Sequence, residues 1–170
     1  MFMTRFAPSP TGPLHLGHAY SAILAHDMAR AEGGKFLLRM EDTDLERSKP
    51  EYDAQIQDDL TWLGLTWDGP IHRQSEHIAS YNTRLEALAP EGILYPCSCT
   101  RSDIRAAASA PQEGVAFNVY PGTCRPRGMD SRKPGDALRL NLAVALDSLA
   151  ASDLGFLETG PAHPGRHRID

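Results

Sequence analysis

The chain has 170 residues, of which 41% are hydrophobic and 23% charged, and this composition excludes a disordered, collagen-like or fibrous protein. Its apolar stretches are far shorter than the ~20 residues that cross a bilayer. The N-terminal sequence lacks the basic flank and apolar segment of a secretory signal. We therefore expect a cytoplasmic protein that has no membrane partner and acts as a monomer.

The net charge of −5 is unevenly distributed along the chain. Residues 1–96 carry 8 basic and 14 acidic side chains, whereas residues 97–170 carry 9 basic and 8 acidic ones. Because phosphate binding depends on Lys and Arg, we expect any RNA contact in the second part. Arginine supplies 14 of the 17 basic residues; its planar fork suits carboxylates and phosphates, although a high-GC codon usage would produce the same bias.

Strands and helices alternate at the start of the chain. Residues 3–7 predict a strand, residues 8–13 a rigid proline-containing loop, residues 15–31 a helix and residues 35–40 a second strand. The pair Gly33-Gly34 ends the helix. This order predicts a parallel β-α-β unit and an α/β fold.

The remainder of the chain predicts further helices, one strand and a loop-rich tail. After residue 95 the sequence changes to cysteines and then to a Pro, Gly and Arg-rich stretch, so we divide the chain into domains 1–95 and 96–170. The predicted segments are helices at 50–63, 76–88 and 100–108, a strand at 137–144 and a loop at 155–170.

Two histidines stand at the start of the first predicted helix. His15 and His18 are one turn apart, so their imidazoles lie on one side of a helix N-terminus that follows a parallel strand. Free N–H groups and the helix dipole favour an anion there, and Gly12 and Gly17 leave room for a nucleotide. Such a site suits attack of a carboxylate on an α-phosphate. Half of a metal site or two surface histidines are the alternatives.

Several sequence motifs, which follow one another along the chain, resemble those of one protein family. The motifs are RFAPSPTG at Arg5, HLGH at His15, RMEDTD at Arg39 and later ones at Trp62, His72 and Leu94. They are similar to those of glutamyl-type class I aminoacyl-tRNA synthetases, most closely the short glutamyl-queuosine tRNA(Asp) synthetases. The resemblance implies the first half of a Rossmann-type parallel sheet with an inserted zinc-bearing subdomain. It also implies activation of L-glutamate by ATP and Mg²⁺ as glutamyl-adenylate, and transfer to the queuosine base of tRNA(Asp).

The resemblance assigns roles to particular residues. Catalytic roles on the phosphate fall to His15 and His18. An alternative for Glu41 is an end-of-strand acid paired with Arg39 or Arg47. The implied glutamate-binding residues are Arg5, Phe6, Ala7, Pro8, Ser9 and Glu41. The implied ATP-binding residues are Pro10, Thr11, Gly12, His15, Gly17 and His18.

The cysteines form a second candidate site. Cys97-x-Cys99 and Tyr120-x-x-x-Cys124 are spaced so that three thiolates could bind one metal ion. The short synthetases have the same pattern as a structural zinc site, which implies Tyr120 as the fourth ligand. His163 and His167 are reserve ligands. Three buried free thiols are the alternative.

The resemblance leads us to expect a truncated chain, because the family's second half-sheet and its Lys-Ser loop do not occur before Asp170. The isolated chain could then be inactive. Three other functions stay open: a glutamyl-tRNA synthetase that charges the tRNA 3′ end, another H-x-G-H nucleotidyltransferase, and a zinc-stabilised RNA-binding fragment without catalysis.

Overall fold

The computed structural model describes residues 1–108, 120–148 and 155–168. The remaining positions, including part of the predicted 96–170 domain, lie outside the described residues. The chain divides into two compact units, one of residues Met1–Asn82 and one that begins at Thr83. This division lies before the one predicted after residue 95, and the strand Leu94–Cys97 pairs with a strand of the second unit.

The first unit begins with the predicted β-α-β arrangement. Strand β1 (Met3–Phe6), helix α1 (Leu16–Ala31) and strand β2 (Lys35–Met40) follow one another, and β1 pairs with β2 in parallel. This confirms the predicted parallel pair and α/β class. The turn into β2 needs a glycine, because a Cβ at Gly34 would lie 2.3 Å from the carbonyl oxygen of Phe2.

Two helices and a short strand complete this unit. Helix α2 (Pro50–Trp62) carries Pro at its first position, where no N–H is needed. Strand β3 (His72–Arg73) extends the sheet in the order β1-β2-β3 and is parallel to β2. A 3₁₀ turn then leads into α3 (Ile78–Leu88), which passes the division between the units.

The core of the first unit lies between β2 and the helices. Alternate residues of β2 are buried, as expected for a strand with one face toward a core. The buried apolar residues are Phe6, Ala22, Ala29, Phe36, Leu38, Met40, Ile56, Leu60 and Leu65. This packing fixes the carboxyl ends of β1 and β2, from which two loops emerge side by side.

The second unit contains β4 (Leu94–Cys97) and β5 (Ala137–Leu140), which pair antiparallel, and helix α4 (Arg101–Ala108). The predicted strand at 137–144 is wrong in its second part, because helix α5 (Leu142–Ser148) begins there. Asn141, a favoured residue before a helix, accepts a backbone hydrogen bond from Ala145 with its carbonyl oxygen.

The tail is also more ordered than predicted. Strands β6 (Gly155–Glu158) and β7 (Gly165–Arg168) form an antiparallel hairpin, so the predicted loop at 155–170 is wrong for the described part of that segment. The glycines and prolines occupy the turn and the strand ends rather than the whole segment. None of the described helices is both long and apolar enough to span a membrane.

Candidate active site and candidate metal centre

The loops that follow β1 and β2 lie together at one edge of the sheet. The backbone N–H of Glu41 donates to the carbonyl of Pro8 at 2.9 Å, and that of Lys49 donates to the carbonyl of Pro10 at 3.0 Å. The words RFAPSP and RMEDTD, 30 or more residues apart in sequence, are therefore neighbours in the structure. The carboxyl edge of a parallel sheet is where such folds bind ligands.

The two histidines of HLGH are fixed by the first turn of α1. His15 is the N-cap, and its Nδ1 accepts from the backbone N–H of Gly17 at 3.2 Å. The backbone N–H of His15 donates in turn to Nδ1 of His18 at 3.2 Å. The rings stack with centroids 3.8 Å apart. Since both Nδ1 atoms accept hydrogen bonds, each neutral ring carries its proton on Nε2 and can donate from there.

The surroundings of His18 favour its neutral form. Partial burial, followed by the charge of His15, lowers the pKa of His18 below that of an ordinary imidazole. At neutral pH the site therefore offers hydrogen-bond donors rather than an imidazolium at His18. Such donors suit a phosphate oxygen at a helix N-terminus.

The two glycines of this segment have different surroundings. A Cβ at Gly17 would lie 3.1 Å from Cε1 of His15, so glycine there allows the His15 ring to cap the helix. A Cβ at Gly12 would meet no atom of the described structure within 4 Å. Open space above Gly12 agrees with its predicted role beside a nucleotide, which stays a prediction.

The residues predicted to bind glutamate lie along the first loop with different exposures. The side chains of Arg5 and Ser9 are exposed and that of Ala7 is half-buried. Phe6 belongs to the core cluster, so it could line a pocket only with its backbone. Pro8 is buried and contributes the carbonyl that binds Glu41.

Glu41, which directly follows β2, pairs with a residue near the end of that strand. Its carboxylate is bonded to the guanidinium of Arg39, as in the alternative considered from the sequence, while Arg47 pairs with Asp44 instead. The Nε atom of Arg39 is buried without a hydrogen-bond partner among the described residues. The predicted contact of Glu41 with a substrate ammonium group stays a prediction.

Sequence reasoning missed a polar cluster beside this loop. The buried carboxylate of Asp42 accepts from Ser75 through the backbone N–H at 2.9 Å and the hydroxyl at 2.6 Å. Arg73 donates to both carboxylate oxygens of Asp53, at 2.8 and 3.0 Å. A cavity of about 410 Å³ is lined by Pro10, Asp42, Leu45, Ser48, Lys49, Pro50, Asp53, Ala54 and Arg73. The available signal was that Asp42 belongs to RMEDTD and Ser75 to HRQSEH.

The three cysteines come together in the second unit. Strand β4 carries Cys97, the turn into α4 carries Cys99, and a loop returns Tyr120 and Cys124 to them. The three sulfurs lie within 4.8 Å of one another. Among the described residues no histidine belongs to this group, so the structure gives no support to His163 or His167 as ligands.

The distances in this cluster fit a tetrahedral ion. Around zinc, two sulfurs would lie about 3.8 Å apart and a sulfur and an oxygen about 3.5 Å apart. The sulfurs of Cys99 and Cys124 are 3.5 Å apart. The phenol oxygen of Tyr120 lies 3.3 Å from Cys97 Sγ and 3.6 Å from Cys99 Sγ. These three distances are close to those expected around zinc, and the three sulfurs lie within 4.8 Å of one another.

The surroundings of the thiols favour a thiolate. Burial alone would raise the pKa of Cys97, but hydrogen bonds from Tyr120 and Arg139 outweigh it and lower the pKa to about 6. Burial, reinforced by the neighbouring thiols, raises the pKa of Tyr120 above its ordinary value. Cys97 therefore loses its proton before the phenol does. The hydrogen bond from Tyr120 alone would lower the pKa of Cys99, but contacts with the other two thiols, together with burial, raise it.

A second group of contacts fixes the loops that carry the thiols. Asp136 accepts from Ser98 Oγ at 2.5 Å, from Arg127 at 2.8 Å and from the backbone N–H of Lys133 at 2.9 Å. Arg127 also donates to Ser98 Oγ at 2.7 Å. Ser98 lies between Cys97 and Cys99, and Arg127 lies three residues after Cys124. The carboxylate therefore links the two loops that carry the thiols to the turn before β5.

Comparison with known proteins gives one family match. Residues 1–129 match the model described as tRNA synthetases class I (E and Q), catalytic domain. The chain is 58% identical to the glutamyl-Q tRNA(Asp) synthetase of Rhodobacter capsulatus, over 98% of this chain and 61% of that protein. It is 44% identical to the glutamate–tRNA ligase of Oleidesulfovibrio alaskensis, over 81% of this chain and 30% of that protein.

Solved structures agree with this match. A crystal structure of the glutamate–tRNA synthetase of Elizabethkingia anophelis superposes with a TM-score of 0.66 at 28% identity, over 98% of this chain and 36% of that one. The glutamate tRNA ligase of Elizabethkingia meningosepticum, solved with its amino acid, gives a TM-score of 0.56 at 36% identity, over 62% of this chain and 23% of that one. The chain spans about half to three fifths of the length of the glutamyl-Q relatives at the top of the comparison.

Proposed function

This chain belongs to the catalytic-domain family of the class I tRNA synthetases (E and Q), and from that premise we propose that it carries the glutamate-activating part of an enzyme that joins glutamate to RNA. The reaction begins when the glutamate carboxylate attacks the α-phosphorus of ATP and pyrophosphate leaves. Mg²⁺ accompanies ATP as its counter-ion. The observation that carries this proposal is the locked pair of imidazoles at the N-terminus of α1.

The proposed role of His15 and His18 follows from their hydrogen bonds. With both Nδ1 atoms engaged, each ring offers an Nε2–H to the phosphate oxygens on which charge grows in the transition state. Donors fixed before the reaction stabilise that charge without reorganising. Thr11, Gly12 and Gly17 would border the nucleotide, with Pro10 beside them.

Glutamate is proposed to bind along the loop after β1. The exposed guanidinium of Arg5 would bind the side-chain carboxylate, with Ser9 and the small Ala7 beside it. Glu41 would bind the α-ammonium group. Because the Glu41 carboxylate is held by Arg39, the ammonium would either share that carboxylate or displace the guanidinium.

The proposed acceptor is the queuosine base of tRNA(Asp). Its support is the 58% identity to a relative named glutamyl-Q tRNA(Asp) synthetase, together with the Cys-x-Cys and Tyr-x-x-x-Cys pattern. The tRNA 3′ end is the second candidate, supported by the relatives named glutamate–tRNA ligase. The balance of charge favours the part from Cys97 onward as the RNA contact.

A structural zinc ion is proposed for Cys97, Cys99, Tyr120 and Cys124. The ion would cross-link β4 to the loop of Cys124, in a unit whose sheets, as far as its described residues show, have two strands each. Small loop-rich units commonly need such a link. The donor set would be closed by protein ligands, which is typical of structural rather than catalytic zinc.

Glutamate-dependent exchange of pyrophosphate into ATP tests the activation step in the intact protein. Arg5→Ala should raise the KM for glutamate far more than the KM for ATP. Arg84→Ala, which removes an exposed arginine of α3, is the matched control and should leave both constants unchanged. Equal effects of Arg5→Ala on both substrates would refute its assignment.

The acceptor is tested with labelled glutamate and three RNA substrates, namely tRNA(Asp) with queuosine, tRNA(Asp) without it, and tRNA(Glu). Transfer only to the modified tRNA supports the proposal. Transfer to tRNA(Glu) would favour the 3′ end instead. RNA binding without any glutamate-dependent exchange would favour the non-catalytic RNA-binding alternative.

A further inference from the structure

One arginine faces the thiol cluster without a carboxylate of its own. Arg139 lies on β5 opposite Tyr95, and its guanidinium carbon is 4.2 Å from the centroid of the Tyr120 ring. The same guanidinium hydrogen-bonds to the Cys97 thiol. Its Nε is buried without a hydrogen-bond partner, and no acidic side chain of the described residues lies within salt-bridge distance of it.

Arg127 also hydrogen-bonds to a thiol, that of Cys124, but a carboxylate balances its charge. Arg127 forms an ion pair with Asp136 at 2.8 Å and donates to Ser98 and to the carbonyl of Ser131. Its charge is therefore balanced by a carboxylate that is almost fully buried. Arg139 differs because the groups that surround it are thiols and phenols, which are neutral until they lose protons.

The charge of the proposed metal ligands explains why a guanidinium without a carboxylate partner lies beside the thiols. Three thiolates exceed the charge of one divalent cation by one unit, and a phenolate would raise the excess to two. A buried site with excess negative charge is costly unless positive groups lie beside it. A guanidinium over the ring also attracts the π-face of Tyr120, and this attraction strengthens when the ring becomes a phenolate.

We infer that Arg139 is a positioning residue of the metal centre, whose charge offsets the excess of the bound thiolates and whose stacking holds the Tyr120 ring with its oxygen toward the sulfurs. The inference rests on the zinc site proposed above. It does not require Arg139 to touch the ion. Residues that act in this way typically change metal affinity by about 10–100-fold when they are removed.

Zinc affinity, measured by competition with a chromophoric chelator in the intact protein, tests this role. Arg139→Met keeps the apolar stem and loses the charge, and its Kd for zinc should rise about 10–100-fold. Arg139→Lys keeps the charge without the planar fork and should recover part of the loss. Arg84→Met is the matched control, because Arg84 is exposed on α3 and lies outside the segments that carry the thiols.

Cobalt binding provides a second measurement, which distinguishes the loss of the Arg139 charge from a general loss of fold stability. Co²⁺-loaded Arg139→Met and wild-type protein should both show thiolate-to-metal absorption, with the variant shifted because the outer charge is gone. An unchanged Kd in Arg139→Met, or an equal loss in Arg84→Met, would overturn the inference. So would an Arg139→Lys variant as weak as Arg139→Met. Failure of the wild-type protein to bind zinc would instead remove the metal site itself.

Discussion

The histidine site of the first unit and the thiol site of the second are built from contacts of different range. His15, Gly17 and His18 are joined by hydrogen bonds that span three residues or fewer, so a single helix start sets their geometry. Tyr120 reaches back 23 residues to Cys97, and Asp136 reaches back 38 residues to Ser98. The first site is therefore fixed by local backbone structure, whereas the second exists only when its unit is folded.

Removing the proposed metal ion should produce the largest difference in stability between the unit of the histidine site and the unit of the thiol site. Apparent binding energies of structural zinc reach about 10–16 kcal/mol in small domains. Chelation, or Cys124→Ser, should therefore remove hydrogen-exchange protection from β4 and β5. The internal control is the β1–β2 pair, which should stay protected, because its hydrogen bonds do not depend on the thiols. Equal loss in both sheets, or no loss in either, would contradict this division.

The next largest effect is expected at the histidines. His18→Ala should lower kcat of activation about 10²–10³-fold with a small change in KM, as for loss of a transition-state donor. Zinc content should not change. Because the pKa of His18 is lowered, activity should fall on the acid side at a pH below the ordinary imidazole value of ~6.5. A His18→Ala enzyme with wild-type kcat would exclude the residue from the mechanism.

A smaller effect is expected from the contact between Asp42 and Ser75. Burial would raise the pKa of Asp42, but the hydrogen bonds from Ser75 outweigh it and lower the pKa. The stabilisation is therefore present above the ordinary carboxyl pKa and is lost as the pH falls through the lowered value. Ser75→Ala should cost about 1–2 kcal/mol and move acid unfolding to higher pH.

Circular dichroism during an acid titration measures that shift. Ser80→Ala, on the exposed side of α3, provides the control and should leave the midpoint in place. If both variants unfold at the wild-type pH, the hydrogen bond from the Ser75 hydroxyl makes no net contribution to stability.

The smallest effect is expected at the start of α4, where a local contact lies beside the thiol site. Thr100 and Asp103 form reciprocal hydrogen bonds of a capping box. Since such contacts act within one turn, Thr100→Ala should cost about 0.5–1 kcal/mol and change zinc affinity less than twofold by the same chelator competition. A large loss of affinity would show that the helix start helps to position Cys99.

The sequence predicts the histidine site, which is built from local contacts, more completely than the thiol site, which is built from contacts between residues far apart in sequence. Prolines and glycines mark the ends of β1, α1 and β2, so these elements and the cap at His15 follow from short-range rules. Cysteine spacing predicts which thiols meet. It does not predict that Arg139 and Asp136 lie beside the loops that carry the thiols, because nothing near these two residues in sequence indicates their partners.

Two errors in the predicted secondary structure have the same cause, which is that the sequence does not show which segments pair as strands. The apolar residues 142–144 suit a strand and a helix equally, and the preceding Asn141 decides for the helix only once β5 is paired. Glycines and prolines at 155–165 predict loop, although two short strands pair around them. In the candidate glutamate pocket, the choice of Arg39 rather than Arg47 as the partner of Glu41 likewise depends on the bend after β2.

The presence of a phenol among the thiols makes Tyr120 an optical indicator of metal occupancy. Burial raises the pKa of Tyr120, so its ring stays protonated at neutral pH until an ion displaces the phenolic proton. Zinc loading at neutral pH should then produce the ultraviolet difference spectrum of one tyrosinate, and Tyr120→Phe should abolish it while thiolate binding persists. The chain would thus report the charge state of its own fourth ligand without any added dye.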